Sequence, residues 1–491
     1  MQLSLDDAVK RALENNLDIQ VAKYDPDAAS LSIKQAQGAF DTLLTSTLRD
    51  ARNTSQATNV FAGAQSVTTD TKTWNFGATQ PLKTGGTLTL TFNNNKQDTN
   101  SVFSTINPVY NSVLNGSLTQ PLLRNFKLDA NRQQIKVSKK NKEISDIQFK
   151  QTVTNTIATV KAQYYDLLAA IDNLEAQRKS LSLAQKLLDE NRIKVRVGTL
   201  APLDVVQADS EVAGREAGVI TAEQQVSDAE DTLRKAIFSR LNNDQWNTRI
   251  VPTDRPVAEP YQIDPEAAVK RALDNRTDIQ VARKNLEITD WNVELAKNQV
   301  LPALDLTAGY GGNGSGGTQI IRASQGGPIV STVPGGYSDA LGFLLPPDFP
   351  TWFVGFNFSL PLPNRTARAN SARARLASDQ ARTSLARLEM GVLTDVRVAM
   401  RAVETNWRLV LSTRAARTLQ AQRLDAEEKK FAAGMSTNFF VTQAQRDLAV
   451  AEVQELQAIA SYRKSIITFE RSQETGLSSG GSLTSIVVST R

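Results

Sequence analysis

Residues 8–22 read AVKRALENNLDIQVA and residues 268–282 read AVKRALDNRTDIQVA, with twelve of fifteen positions identical at a constant offset of 260. The chain therefore holds two copies of one unit. A second echo lies deeper in each copy: residues 192–212 align with residues 429–450 through Gly198 and Gly434, Gln207 and Gln443, and Ala208 and Ala444. Solenoid repeats recur about every 20–50 residues. This period is several times longer, so each copy contains a whole sub-architecture.

The parts keep one order in both copies. Short helices are expected over 6–22 and 27–39, broken at Asp25-Pro26, and again over 264–275 and 278–300. Strand-like regions follow at 40–122 and 301–362, then long helical hairpins at 129–239 and 366–474. Repeat 1 is thus 1–248 and repeat 2 is 264–475. Between them, residues 249–263 form a proline-stiffened extended connector, and residues 476–491 read as a flexible tail.

In the strand regions the apolar residues Leu88, Leu90 and Phe92 alternate with Thr87, Thr89 and Thr91. Leu304 and Leu306 alternate with Asp305 and Thr307, and Val354, Phe356 and Phe358 with Gly355, Asn357 and Ser359. A period of two puts apolar groups on one sheet face and small polar groups on the other. A water-soluble sandwich shows the same alternation. Loop lengths favour a membrane barrel: residues 51–73, 96–112 and 313–350 read as long polar loops at one end, and residues 82–86 as a short turn at the other. Thr79-Gln-Pro-Leu82, Thr119-Gln-Pro-Leu122 and Ser359-Leu-Pro-Leu362 read as three strand exits at one rim, since proline cannot donate to a ladder.

The exits pair with starts at Phe40, Gly85 and Leu301, which gives six strands, four in the first copy and two in the second. From Val9 to Gly198 is 189 residues and from Val269 to Gly434 is 165, so repeat 1 is 24 residues longer. That excess equals a candidate extra hairpin at 74–97. Either the hairpin widens the sheet or it folds outside the wall.

The long helices show a seam. Val153, Ile157, Val160, Tyr164, Leu167, Ile171, Leu174, Leu181, Leu188 and Val195 recur with a mean spacing of about 3.5, the period of a left-handed coiled coil. Helices over 129–196 and 366–432 reach ~100 Å each at a rise of about 1.5 Å per residue, and each reverses at Gly198 or Gly434.

Composition narrows the function classes. The chain has no Cys and no His, which removes thiol nucleophiles, imidazole bases, disulfides and His/Cys metal sites. Its 56 basic and 51 acidic residues are interspersed, leaving a net charge of only +5. That pattern reads as a solvated face rather than a nucleic-acid footprint. The acidic residues form no paired-carboxylate cluster, so no enzyme, cofactor or metal site is expected. The Gly-rich stretch 309–317 lacks the Lys-Ser/Thr of a phosphate loop and reads as a loop following a strand. No apolar run is long enough for a spanning helix. No signal peptide opens the numbering, which fits either a cytoplasmic protein or a chain numbered after cleavage.

Taken together, the tandem halves, the order of their parts, LPALDLTAGY at 301–310, GFNFSLPL at 355–362 and RVGTLAPLDVVQA at 196–208 resemble the TolC-like outer membrane factor family over nearly the full length. The resemblance implies a mixed α/β, mainly α membrane protein. Three copies share one transmembrane β-barrel in the bacterial outer membrane, continued by a long periplasmic α-helical barrel. It implies passive export, in a tripartite efflux pump or a type I secretion system, with a periplasmic adaptor (membrane fusion) protein and an inner-membrane transporter as partners. Leu88, Leu90, Phe92, Leu304, Leu306, Val354, Phe356 and Phe358 would then face outer-membrane lipid.

The adaptor-contact turns implied by the resemblance are Val197, Gly198, Thr199 and Leu200, and Ala433, Gly434, Met435 and Ser436. The implied periplasmic gate comprises Asp204, Phe431, Phe440 and Gln443. Asp204 matches a gate aspartate. Phe440 and Gln443 stand where the family's best-known pattern has two aspartates, and Phe431 and Ser436 where it has a latch tyrosine and arginine. Phe440 either closes the tip as an apolar ring or packs between helices. The rival from another class is a soluble coiled-coil scaffold or tether.

Overall fold

The computed structural model describes residues 1–57, 65–238, 246–254, 258–344 and 349–474. In the first copy a short strand β1 (Gln2–Leu3) leads into helices α1 (Leu5–Asn15), α2 (Leu17–Ala22) and α3 (Tyr24–Gln37). Strands β2 (Leu43–Gln56), β3 (Ser66–Pro81), β4 (Thr87–Thr99) and β5 (Ile106–Pro121) follow, then the long helices α4 (Ala130–Arg196) and α5 (Pro202–Ile237). After connector strand β6 (Val251–Pro252), the second copy runs α6 (Pro265–Asn275), α7 (Thr277–Asn298), β7 (Ala303–Arg322), β8 (Ile329–Val333), α8 (Tyr337–Gly342) and β9 (Pro350–Ser359). It ends in α9 (Arg365–Ala432) and α10 (Asn438–Ser472). The tail expected at 476–491 lies outside the described residues.

Two compact units emerge, and they do not follow the repeats. One takes the described residues of 1–28, 143–284 and 382–474, the other those of 29–142 and 285–381. Each draws on both copies.

In the first unit, the identical residues of the opening repeat turn out to be contact residues. Ala8, Ala12, Ala268 and Ala272 are all buried. Ala8 and Ala12 pack with Val160, Tyr164 and Leu167 of α4 and with Leu233 and Ile237 of α5. Ala268 and Ala272 sit among Val392, Val396 and Val403 of α9 and Tyr462 and Phe469 of α10. A methyl side chain every fourth residue lets the short helix approach a long one closely. Most of the predicted seam of α4 is buried, from Val153 through Leu188.

The single helix expected over 6–22 is corrected to two. Asn16 accepts hydrogen bonds from the backbone N–H groups of Asp18 (2.9 Å) and Ile19 (3.2 Å), and its Nδ2 donates to the Ala236 carbonyl (2.9 Å). A side chain that caps α2 while gripping the end of α5 stops α1 at Asn15. The connector is pinned rather than loose, because β6 pairs in parallel with β1. Tyr164 Oη donates to the Leu3 carbonyl (3.1 Å), and Tyr462 Oη to the Glu259 carbonyl (2.6 Å).

The second unit holds an antiparallel sheet in the order β2-β3-β4-β5-β7. Strand β7 pairs with β9 over Ala303–Gly312 and with β8 over Gln319–Arg322. Six long strands result, with β8 as a short addition. Hairpin β3-β4 lies between β2 and β5, so the extra hairpin of the first copy is part of the sheet. The expected exits share one rim: Pro81 and Thr119 both oppose Thr87, Pro121 opposes Asp305, and Ser359 opposes Ala303.

The strands run further than the sequence reading allowed. Of the stretches expected as loops, residues 51–56, 66–73, 96–99, 106–112, 313–322 and 329–333 are strand and residues 337–342 form α8, while residues 58–64 and 345–348 lie outside the described residues. Polar residues alternate there on both faces, which hides the period, yet backbone pairing does not require apolar side chains. Cross-strand contacts such as Arg52–Asp70 (2.6 Å) and Thr54–Thr68 (3.1 Å) support the ladder.

Directly opposed residues share a sheet face. One face carries Phe76, Phe92 and Leu114 in one row; Ala78, Leu90, Gly116, Tyr310 and Trp352 in the next; then Leu88, Leu118, Ala308 and Val354. Leu306 opposes Phe356 and Leu304 opposes Phe358 on the same face. The opposite face carries rows such as Thr79, Thr89, Ser117, Gly309 and Phe353, and Thr87, Thr119, Thr307 and Gly355.

Candidate functional site

The turns between the paired long helices are built alike. Gly198 has φ +78° and Gly434 φ +72°. The residue after each glycine reaches back across the last helical turn: Thr199 N–H donates to the Lys194 carbonyl and Met435 N–H to the Lys430 carbonyl, both at 2.9 Å. This helix ending requires one left-handed residue. A Cβ at either glycine would meet nothing within 4 Å, so backbone conformation rather than space selects glycine.

Around these turns Val197 and Met435 are 67% and 76% exposed, and Thr199 and Ala433 are exposed with them. Leu200 instead turns inward against the cluster of Leu187, Leu424, Phe431 and Val441. Ser436 donates its hydroxyl to Glu427, which also lies 3.3 Å from Lys430 Nζ. The Ser436 hydrogen bond, followed by Lys430, holds the Glu427 carboxyl below its ordinary value.

Just past the turns, Asp204 is half-buried in the first turn of α5. Phe440, its counterpart in the repeat alignment, is 52% exposed and stands edge-to-face with Phe439, ring centroids 5.5 Å apart. Neither ring is packed into the protomer. Phe431 is buried, with Lys194 Nζ 3.6 Å from its ring centroid. Gln443 Nε2 donates to Asp447 Oδ1 (2.7 Å), and Asp447 also pairs with Arg423 (2.8 Å).

The same region holds polar ties that the sequence reading missed. Arg446 of α10 donates to Glu211 of α5, whose carboxylate also pairs with Arg215 at 2.8 Å. Asn191 Nδ2 of α4 donates to Asn438 Oδ1 (2.9 Å), and Asn438 Nδ2 to the Asp204 carbonyl (3.4 Å). Burial alone would push Glu211 up, but the Arg446 hydrogen bond and the charges of Arg215 and Arg446 more than offset it and leave the carboxyl below its ordinary value. The i,i+4 spacing of Glu211 and Arg215 was visible in the sequence. Arg446 was not, because only folding brings α10 beside α5.

In the sheet, Leu88, Leu90, Val354, Phe356 and Phe358 are exposed on the apolar face, while Phe92, Leu304 and Leu306 are half-buried there. Towards the end away from the proline rim, α8 lies on this face. The ring of Tyr337 stands edge-on to Trp74 (5.2 Å), its Oη donates to Asn94 Oδ1 (2.9 Å), and Ala340 is fully buried. The Gly-rich stretch 309–317, expected as a loop, is strand. A methyl group at Gly314 would overlap the Ala340 carbonyl, and one at Gly316 would stand 2.6 Å from the Ala340 nitrogen. Glycine at alternate positions clears one face for a helix. Trp and Tyr at the border of an apolar band are the pattern of outer-membrane barrels.

A Gly314→Val substitution is expected to lift α8 off the sheet at a cost of about 1–3 kcal/mol. Hydrogen exchange across residues 337–344 reads the loss of protection; unchanged protection would show that α8 is held by something else.

No helix among the described residues is long and apolar enough to cross a membrane, and no acidic cluster among them suits a metal ion. A family model described as Outer membrane efflux protein matches residues 87–237 and 268–472. Outer membrane protein TolC of Vibrio cholerae is 27% identical over 175 residues, a stretch covering 35% of this chain and 38% of that protein. Among solved structures, the Campylobacter jejuni CmeC outer membrane channel superposes with a TM-score of 0.68 at 17% identity, over 99% of this chain and 88% of that one. The outer membrane protein VceC of Vibrio cholerae gives 0.65 at 14% identity, over 96% of each chain. The Neisseria gonorrhoeae MtrE outer membrane channel gives 0.64 at 15% identity, over 96% of this chain and 89% of that one.

Proposed function

Because the chain belongs to the outer membrane efflux protein family, we propose that it works as the outer-membrane export duct of a tripartite efflux pump or a type I secretion system. In this reading three copies share one β-barrel in the outer membrane, and their long helices form a conduit through the periplasm. Substrate passes passively from an inner-membrane transporter and a periplasmic adaptor to the exterior. The observation that carries the reading is the sheet: apolar on one face, lined mainly with Thr, Ser, Asn and Gly on the other, and, among the described residues, unpaired at both edges. Lipid does not tolerate an open edge. The soluble scaffold alternative leaves such a sheet without a role.

The exposed turns at Val197–Leu200 and Ala433–Ser436 are the proposed adaptor contacts. Asp204, Phe440 and Gln443 are proposed to line the closed tip, with Phe431 supporting them from the core. A ring of three Phe440 side chains excludes water by its apolar character. It does not bind cations as the acidic ring of the best-known family members does.

Negative-stain imaging of detergent-extracted protein tests the proposal. Three-fold cylinders with a helical stem of ~100 Å are expected. Monomeric or dimeric rods that stay soluble without detergent would replace the duct with the scaffold.

A further inference from the structure

The sheet has two free edges. Among the described residues, strand β2 pairs only with β3, and β9 only with β7. Among the described residues no pairing joins β2 to β9, so the sheet is open. Strand β2 leaves the proline rim at Leu43, whereas β9 arrives at that rim at Ser359. Brought together, the two edges run antiparallel, the geometry a hairpin-built barrel requires. Most of the large apolar side chains of both edges lie on the same face, with Leu43 of β2 and Phe353 of β9 on the other. Leu44 and Leu48 of β2 are 76% exposed, and Val354, Phe356 and Phe358 of β9 are similarly open.

We infer that β9 of one copy pairs with β2 of the next, so that three copies close a barrel of eighteen long strands. This rests on the duct reading and departs from the four strands per protomer usual in the family. Barrel width grows with strand number. At a strand spacing of about 4.8 Å and a tilt of about 40°, twelve strands give a backbone diameter of ~24 Å and eighteen give ~36 Å. The bore is lined mainly by side chains as small as Thr89, Ser117 and Thr307, with Phe353 over Gly309 as the large exception at the edge strand. The outer opening thus admits bulky hydrophilic cargo, and the restriction on what passes lies at the helix tips.

The chain has no cysteine, so engineered pairs report the seam directly. Thr47→Cys on β2 is combined in turn with Phe353→Cys, Gly355→Cys and Asn357→Cys on β9, all on the polar face. Oxidation in membranes is expected to give covalent dimers and trimers on a denaturing gel, with one pairing dominant. Imaging of the cross-linked particle is expected to show eighteen strands in cross-section. Cross-linking confined to monomers would mean that the sheet closes on itself and would overturn the inference. So would a twelve-stranded wall, or three-fold particles that never cross-link. Rods without three-fold symmetry would instead remove the duct reading itself.

Discussion

Glu211→Gln is expected to raise the closed-state conductance of the reconstituted channel roughly tenfold. The carboxylate ties α5 to α10 through Arg446 just beyond the two tip turns. Hydrogen bonds to charged groups contribute about 1.5–3 kcal/mol. Because the Arg446 side chain is half-exposed and screened, the lower figure applies, and about 1.4 kcal/mol corresponds to a factor of ten. The pH profile separates the tie from general loosening. The folded Glu211 carboxyl sits below its ordinary value of 4.5, so its stabilisation is complete above that value and is lost as pH falls through the depressed one. Wild-type leak should stay flat from about pH 8 to 5 and rise only in stronger acid. The Gln variant should leak at every pH. A Gln variant as tight as wild type would show that Arg446 and Glu211 do not hold the tip.

Phe440→Ala, by contrast, should raise leak above wild type at every pH while keeping the wild-type rise in strong acid, because Glu211 and Arg446 are left in place. Unchanged leak would leave packing against helices of a neighbouring copy as the better account of that ring, which is exposed on its own chain.

Arg234→Met is expected to destabilise the end of α5 by about 3–5 kcal/mol. Arg234 and Glu230 have side chains only 8% and 9% exposed, paired at 2.6 Å. The guanidinium also donates to the Thr248 carbonyl (2.9 Å), and the Ile250 N–H donates to Glu230 (3.3 Å), so the pair fastens the start of the connector to the helix. Methionine fills much of the volume but leaves the Glu230 charge buried without its cation, which is the costly part. Loss of hydrogen-exchange protection over the last turns of α5, with a lower thermal transition, is the expected readout. The double variant Glu230→Gln/Arg234→Met should recover part of the loss. An unchanged transition in the single variant would mean that water or a neighbouring group satisfies Glu230.

What could be read without a fold was whatever local pattern enforces. The echo of residues 8–22 at 268–282 revealed two copies, and its alanines proved to be the contacts of α1 and α6 with the long helices. The 3.5-residue seam from Val153 to Leu188 fixed the buried stripe of α4, since a helix places those positions on one side regardless of its partner. The alternation at 87–92 and 354–358 fixed two sheet faces, and the 24-residue excess pointed to an added hairpin at 74–97, where the structure has the longer pair β3 and β4 over 66–99. Local pattern failed where partners are distant in sequence. The polar strand extensions near Arg52 and Asp70 looked like loops because their stability comes from a neighbouring ladder. Asn16 looked like an ordinary helix position until Ala236 was placed beside it. The alternate glycines at 314 and 316 looked like a flexible loop until α8 occupied the cleared face. The tie between Glu211 and Arg446 joins residues 235 positions apart. Periodicity reports which side of an element is buried, whereas the identity of the group that meets it depends on how the chain returns, and only packing decides that.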